Sequence, residues 1–158
     1  MTHGRPTRPD ATFDLVVCLF TSPGYFEDLE DDVRVVHNVA RSLKPGGSLV
    51  VDVMGRETLK RVFQSRSWRE EGGVLLLEDS TVSDAWDQVD NRWIIITGDE
   101  RREAAFSLRV YSADESSDLL TEGGLEVGGT YGWFDGSPYD EYALRLIALA
   151  RRPAPAPQ

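Results

Sequence analysis

Cysteine occurs once in this chain of 158 residues, at Cys18, so there is no disulfide framework and no thiolate metal cluster. Histidine is nearly as scarce: His3 and His37 are the only two, too few for a His-rich metal site. Lysine stands only at positions 44 and 60, and the resulting arginine bias hints at a GC-rich bacterial genome. Basic residues are outnumbered 17 to 27, for a net charge of −10, which argues against a nucleic-acid surface and against binding to anionic membranes. No apolar run reaches the roughly 20 residues of a membrane span, and the polar start lacks the pattern of a signal peptide. A soluble cytoplasmic protein is the expectation. No G-x-G-x-x-G occurs, and the glycine pairs at 46–47, 72–73, 123–124 and 128–129 read as turns, helix ends or bulges rather than a phosphate or dinucleotide loop. With no Ser-His-Asp set, paired carboxylates or metal cluster in view, the sequence argues against a hydrolase or a metalloenzyme.

What is present divides into two grammars. Residues 13–20, FDLVVCLF, form an apolar run broken only by Asp14, the composition of a strand buried on both faces. Pro23 and Gly24 end it. Leu29, Val33, Val36, Ala40 and Leu43 then recur at helical spacing, with acids 27–32 at the N-terminal end of the macrodipole and Arg41 and Lys44 at the other. Pro45-Gly46-Gly47 is expected to stop this helix, and residues 48–54 form a second buried strand. Strand, helix, strand in this order is a βαβ unit with parallel strands and a right-handed crossover. After a short helix near 57–63, residues 74–78, 92–97 and 104–111 alternate better and are joined by polar turns, which predicts an antiparallel meander. Ser112-Ala113-Asp114-Glu115 is a capping box opening a helix that ends at Gly123-Gly124. Residues 125–134 and 142–150 supply two more strands. Residues 1–12 read as a flexible N-terminal arm and 153–158 as a flexible tail.

This order of parts, with FDLVVCLFTSPGYF, LKPGGSLVVDVM and LIALARR at its corners, resembles the C-terminal part of class I S-adenosylmethionine-dependent methyltransferases. It looks most like bacterial small-molecule methyltransferases with an antiparallel insertion, a group that includes sugar N,N-dimethyltransferases. The resemblance covers residues 13–152. It implies an α/β fold, a partial Rossmann-like methyltransferase sheet with an antiparallel β insertion at about 70–111. It also implies S-adenosylmethionine as cofactor and a small-molecule methyl acceptor. The departure is as informative. The family holds its cofactor with a glycine-rich loop after its first strand and an acid ending its second, and neither element is found here. The chain begins at what would be the fourth strand, and the resemblance therefore implies a truncated protein, inactive as an isolated monomer, that binds no cofactor at concentrations on the order of tens of micromolar.

By that resemblance, Leu19, Phe20 and Thr21, at the carboxyl end of a parallel strand where such sheets bind ligands, line the cofactor pocket with Tyr25 nearby. Against this stands a plainer reading, in which Leu19 and Phe20 are core and Tyr25 packs on the helix. Arg109 shares a strand face with Ser107 and Tyr111. If that face looks into the pocket, Arg109 holds a substrate carboxylate or phosphate; if it looks at solvent, it is a surface charge. Tyr131, Trp133 and Tyr139, with Phe134, lie in an aromatic stretch that resembles the family's loop at the substrate mouth, and either form a lid or cap the sheet end. Asp52 either orients a substrate or bonds a neighbouring loop. Cys18, with no histidine nearby, reads as a small core residue, and His37 as a solvated helical residue.

In the family's strand order the first strand of this chain belongs in mid-sheet. Here the stretch from Asp14 to Phe20 becomes an edge, and an apolar edge invites another chain. The expectation is self-association as a homodimer through this edge, or poor solubility, or a separate N-terminal half that covers it. A second function class follows, a non-catalytic remnant or assembly module. A third, a nucleotide-binding α/β domain of other chemistry, lacks any phosphate loop.

Overall fold

The computed structural model describes residues 10–154. The expected terminal segments lie outside the described residues except for 10–12 and 153–154. At that described start Ala11 and Thr12 donate backbone hydrogen bonds to Arg41 and Ser42, and Asp10 pairs with Arg41 at 3.0 Å.

The first strand, β1 (Phe13–Cys18), leads through a ten-residue loop to α1 (Leu29–Ser42) and returns as β2 (Leu43–Val53). The strands are parallel, Val16 opposite Leu49 and Cys18 opposite Val51. Helix α1 forms because its apolar residues fall on one side and Glu30, Asp31 and Asp32 occupy its first turn. It stops earlier than the Pro-Gly-Gly reading expects. Leu43 is already extended, at φ −71° and ψ 143°, because it pairs with Phe13. Residues 44–47 therefore lie inside β2, where the register with β1 shifts, and Gly46 takes the irregular φ of +79°.

A short helix, α2 (Arg56–Val62), precedes four antiparallel strands, β3 (Arg66–Glu71), β4 (Val74–Val82), β5 (Gln88–Thr97) and β6 (Glu100–Arg109), in the order β3-β4-β5-β6. The meander thus has one strand more than its alternation reveals. RSWREE has no apolar periodicity of its own; β4 holds it through Trp68 opposite Leu77, a Ser67–Glu78 hydrogen bond of 2.6 Å, and the Arg66–Asp79 and Arg69–Glu78 pairs at 3.5 Å. Next come α3 (Ala113–Glu122), β7 (Glu126–Tyr131) and β8 (Leu146–Arg151). The capping box is present in full: Ser112 Oγ accepts from Glu115 N–H at 3.2 Å and Glu115 Oε2 from Ser112 N–H at 2.9 Å.

Strands β7 and β8 complete the first sheet, in the order β1-β2-β8-β7, with β8 antiparallel to both neighbours. Helices α1 and α3 cover one face of it. Leu43, Leu49, Leu120 and Leu146 are the largest fully buried side chains of that core, each contributing about 1.5–3 kcal/mol by its removal from water. Val16 and Cys18 of β1 pack against this core. Their neighbours Leu15 and Val17 point the other way and are 55% and 53% exposed. No helix among the described residues is long and apolar enough to cross a membrane.

Candidate functional site

Beyond the carboxyl end of β1 the backbone takes an unusual turn. Phe20 and Thr21 follow one another at φ +59° and +57°, a left-handed conformation that costs a non-glycine residue about 1–2 kcal/mol. Asp52, at the matching end of β2 and only 2% exposed, meets them. Its Oδ2 accepts from Phe20 N–H at 3.0 Å and its carbonyl from Thr21 N–H at 2.9 Å. Its Oδ1 accepts from Arg145 Nε at 2.6 Å, and Arg145 Nη2 reaches Thr21 Oγ1 at 2.9 Å. Thr21 Oγ1 also accepts from Met54 N–H at 3.1 Å. Ser22 Oγ donates to the Leu19 carbonyl at 2.7 Å. Of the two readings left open for Asp52, the structure shows the bond to a neighbouring loop.

A second polar knot follows a few residues on. Asp32, 3% exposed, accepts from Gly24 N–H at 3.2 Å, from Arg109 Nη1 at 2.5 Å and from the Tyr111 hydroxyl at 2.6 Å. Arg109 also donates to the Glu27 carbonyl at 2.7 Å. The knot ties α1, the loop after β1 and the segment between β6 and α3 together. Gly24 is required in it. Its φ is +101°, and a Cβ there would stand 2.5 Å from the Arg109 carbonyl oxygen. Burial, reinforced by Asp32, raises the Tyr111 hydroxyl above its ordinary range. For Arg109 burial pulls downward, yet Tyr111 and Asp32 outweigh it and the guanidinium is raised.

Between the start of α1, the outer face of α3 and the ends of β5 and β6 lies a cavity of about 500 Å³. Arg56, Arg109, Tyr111, Asp87, Glu115 and Asp118 are among its walls; Leu19, Phe20, Thr21 and Tyr25 are not. Arg56 is fixed there by Glu115 at 2.5 Å and by the Trp86 and Val110 carbonyls. Among the described residues, no group of three or more His, Cys, Asp or Glu is placed to hold a metal ion.

The residues singled out in the sequence are distributed as follows. Leu19, Phe20 and Thr21 follow β1 directly, at the carboxyl end of a parallel strand. Phe20 is 86% exposed, so it is not core. Tyr25 leans instead on the second sheet, 5.8 Å from Phe106, which in turn meets Trp93 edge-on at 5.0 Å. Arg109 is not a plain surface charge: Asp32 holds one of its nitrogens, and the residue is also among the walls of the cavity. Tyr131 pairs with Ile147 on β8. Trp133 stacks edge-on with Phe134 at 5.6 Å. Tyr139 packs against the core and donates to Glu57 at 2.7 Å, its hydroxyl pushed up to about 12 by burial and by Glu57. The cavity that Arg109 lines has none of Tyr131, Trp133 and Tyr139 among its walls, and Tyr131 bridges to Pro138 beside Tyr139. Cys18 is half-buried, and burial raises its thiol, which suits a packing residue and not a nucleophile. His37 is exposed. Arg145 and the tertiary role of Asp32 escape a reading of the sequence. A lone arginine inside ALRLIALA and an acid in a helix's first turn carry no local sign of partners far along the chain.

A methyltransferase-domain family model matches residues 4–51. Among solved structures, an S-adenosylmethionine-dependent methyltransferase from Clostridium acetobutylicum matches with a TM-score of 0.80 and 19% identity, over 94% of this chain and 61% of that one. The CcbJ methyltransferase from Streptomyces caelestis matches with a TM-score of 0.74 and 18% identity, over 90% and 58%. CalS10, an S-adenosylmethionine-bound amino pentose methyltransferase from Micromonospora echinaspora, matches with a TM-score of 0.58 and 23% identity, over 90% and 59%. No curated protein matches. The chain has the Rossmann-like fold of these methyltransferases, and it spans about three fifths of the length of each.

Proposed function

We propose that this chain is the C-terminal portion of a class I S-adenosylmethionine-dependent methyltransferase acting on a small molecule, and that it does not work as an isolated monomer. The observation that carries the reading is the loop after β1. It is a strained, polar-anchored wall at the carboxyl end of a parallel strand, and that strand stands at the edge of a methyltransferase sheet with an apolar face bare. The fold's own charge pattern supports it. Strands β3 and β6, which end the second sheet, are dense in Arg and Glu, the usual protection of an edge. In β1 the one charge is Asp14, which Lys44 holds at 2.8 Å. The edge of β1 is therefore built to be covered, and a separate N-terminal half carrying a strand and a glycine-rich loop is the occupant we favour.

The cofactor supplies an electrophilic methyl group on a sulfonium. This chain's residues fit one side of it. Leu19, Phe20 and Thr21 offer a wall whose inward polar groups are already bonded, leaving the Phe20 ring outward. Among the described residues no glycine loop and no ribose-binding acid stands opposite. An in-line displacement needs alignment and a suitable environment more than a dedicated base, so the lack of an obvious acid–base set does not weaken the reading. We place the protein in a bacterial cytoplasm on composition alone.

The test is methyl transfer. A strand–glycine-loop half from a class I methyltransferase is fused ahead of Phe13, and tritiated S-adenosylmethionine is offered with a panel of small amines and hydroxyl compounds. The fusion is expected to label an acceptor and the chain alone is not. A second reading, an assembly module without catalysis, rests on the same bare edge. It is favoured if the fusion labels nothing while the chain self-associates in sedimentation velocity and loses that association on Val17→Lys.

A further inference from the structure

Two left-handed residues in succession, neither of them glycine, asparagine or aspartate, are rare, and threonine resists that conformation more than most. Something must hold Phe20 and Thr21 there. From outside the turn, among the described residues, the side chains of Asp52 and Arg145 bond it. Asp52 takes the Phe20 N–H, Arg145 takes Asp52 and the Thr21 hydroxyl at once, and Thr21 in turn caps the Met54 N–H. The guanidinium bridges β2 and the loop after β1 from the segment just before β8, using two nitrogens of its fork on two partners. With the Phe20 and Thr21 amides and the Thr21 hydroxyl bonded inward, the Phe20 ring lies out in solvent.

We propose that Arg145, acting through Asp52 and Thr21, is a positioning residue that holds the turn left-handed and thereby aims Phe20 at the bound cofactor. The inference rests on the methyltransferase reading for its purpose, but not for its geometry. A plain structural pair would stabilise the sheet; a positioning pair sets the backbone of residues 20 and 21. Lysine keeps the charge but lacks the planar fork that sets two nitrogens on two partners, so Arg145→Lys separates charge from geometry.

The experiment has two arms. On the full chain, without cofactor, NMR reads the strong intraresidue amide-to-Hα NOE that a positive φ produces. In Arg145→Gln and Arg145→Lys this NOE is expected to weaken at Phe20 and Thr21, with amide exchange at Phe20 about tenfold faster or more while the β2–β8 amides stay protected. Asp52→Asn serves if either variant fails to fold. An unchanged NOE overturns the proposal, and so does loss of protection across β2 and β8 as a unit. In the fusion enzyme, Arg145→Lys is expected to raise KM for S-adenosylmethionine about tenfold with kcat within about twofold; an unchanged KM overturns the positioning role. If the unmutated fusion transfers no methyl group, the functional reading fails, and the NMR arm alone decides the turn.

Discussion

Replacing Asp32 by alanine removes one carboxylate and strands three donors. Tyr111, itself buried, loses its hydroxyl partner, Gly24 loses the acceptor of its N–H, and Arg109 keeps only the Glu27 carbonyl. Breaking a buried pair from one side costs about 3–5 kcal/mol. The Arg109 side chain is a quarter exposed and water offsets part of its loss, so the lower end, about 3 kcal/mol, is the expected effect of Asp32→Ala. Asp32→Asn keeps one acceptor and is expected to cost about 2 kcal/mol. With a urea slope of about 2 kcal/mol/M for a domain of this size, the unfolding midpoint falls by about 1.5 M in the first variant and about 1 M in the second. Because Asp32 helps to raise the Tyr111 hydroxyl, ultraviolet titration of Asp32→Asn is expected to show one tyrosine ionising at lower pH than before. A loss below about 1 kcal/mol in Asp32→Ala, with tyrosine titration unchanged, refutes the argument that this knot joins α1 to the segment after β6.

Three further outcomes follow from single contacts. Gly24→Ala meets both a positive φ and the Arg109 carbonyl at 2.5 Å; it is expected to lose about 2–4 kcal/mol in urea unfolding, since strain and overpacking add. Ser112→Ala removes the cap of α3 and is expected to cost about 1 kcal/mol, read by the thermal midpoint. Tyr139 has its hydroxyl raised from 10.0 to about 12, so the folded protein keeps a proton that the unfolded chain gives up. That contribution is complete below pH 10.0 and is lost as pH rises through about 12. Tyr139→Phe should therefore flatten the fall of stability across this window relative to the unmutated chain.

The elements legible in the sequence were those whose signal is local. FDLVVC announces a strand, the spacing from Leu29 to Ala40 a helix, and SADE a cap, and each is found where its residues stand; the burial of β1 on both faces is not found, because β1 is the edge of its sheet and leaves Leu15 and Val17 exposed. Strand β3 was not legible because its stability belongs to β4, which supplies both the hydrogen-bond ladder and the opposite charges. The end of α1 was misplaced because pairing of Leu43 with Phe13 outcompetes the helix before Pro45 is reached. Leu19, Phe20 and Thr21 were legible as the residues that directly follow a parallel strand, and they stand there. Arg145 was not, since its partners lie 93 and 124 positions away. The face shared by Ser107, Arg109 and Tyr111 was visible, but the buried acid awaiting Arg109 and Tyr111 sits in a helix turn where three adjacent acids look alike. The aromatic stretch after β7 reads as a lid by composition, yet Tyr139 finds its partner in Glu57 of α2, and that choice depends on packing between distant segments.

On the function proposed above, the loop after β1 is one wall of a cofactor site whose other wall another polypeptide must bring. Calorimetric titration of S-adenosylmethionine into the chain alone tests it most directly. No saturable heat is expected at concentrations on the order of tens of micromolar, and clear one-site binding under those conditions overturns the proposed function.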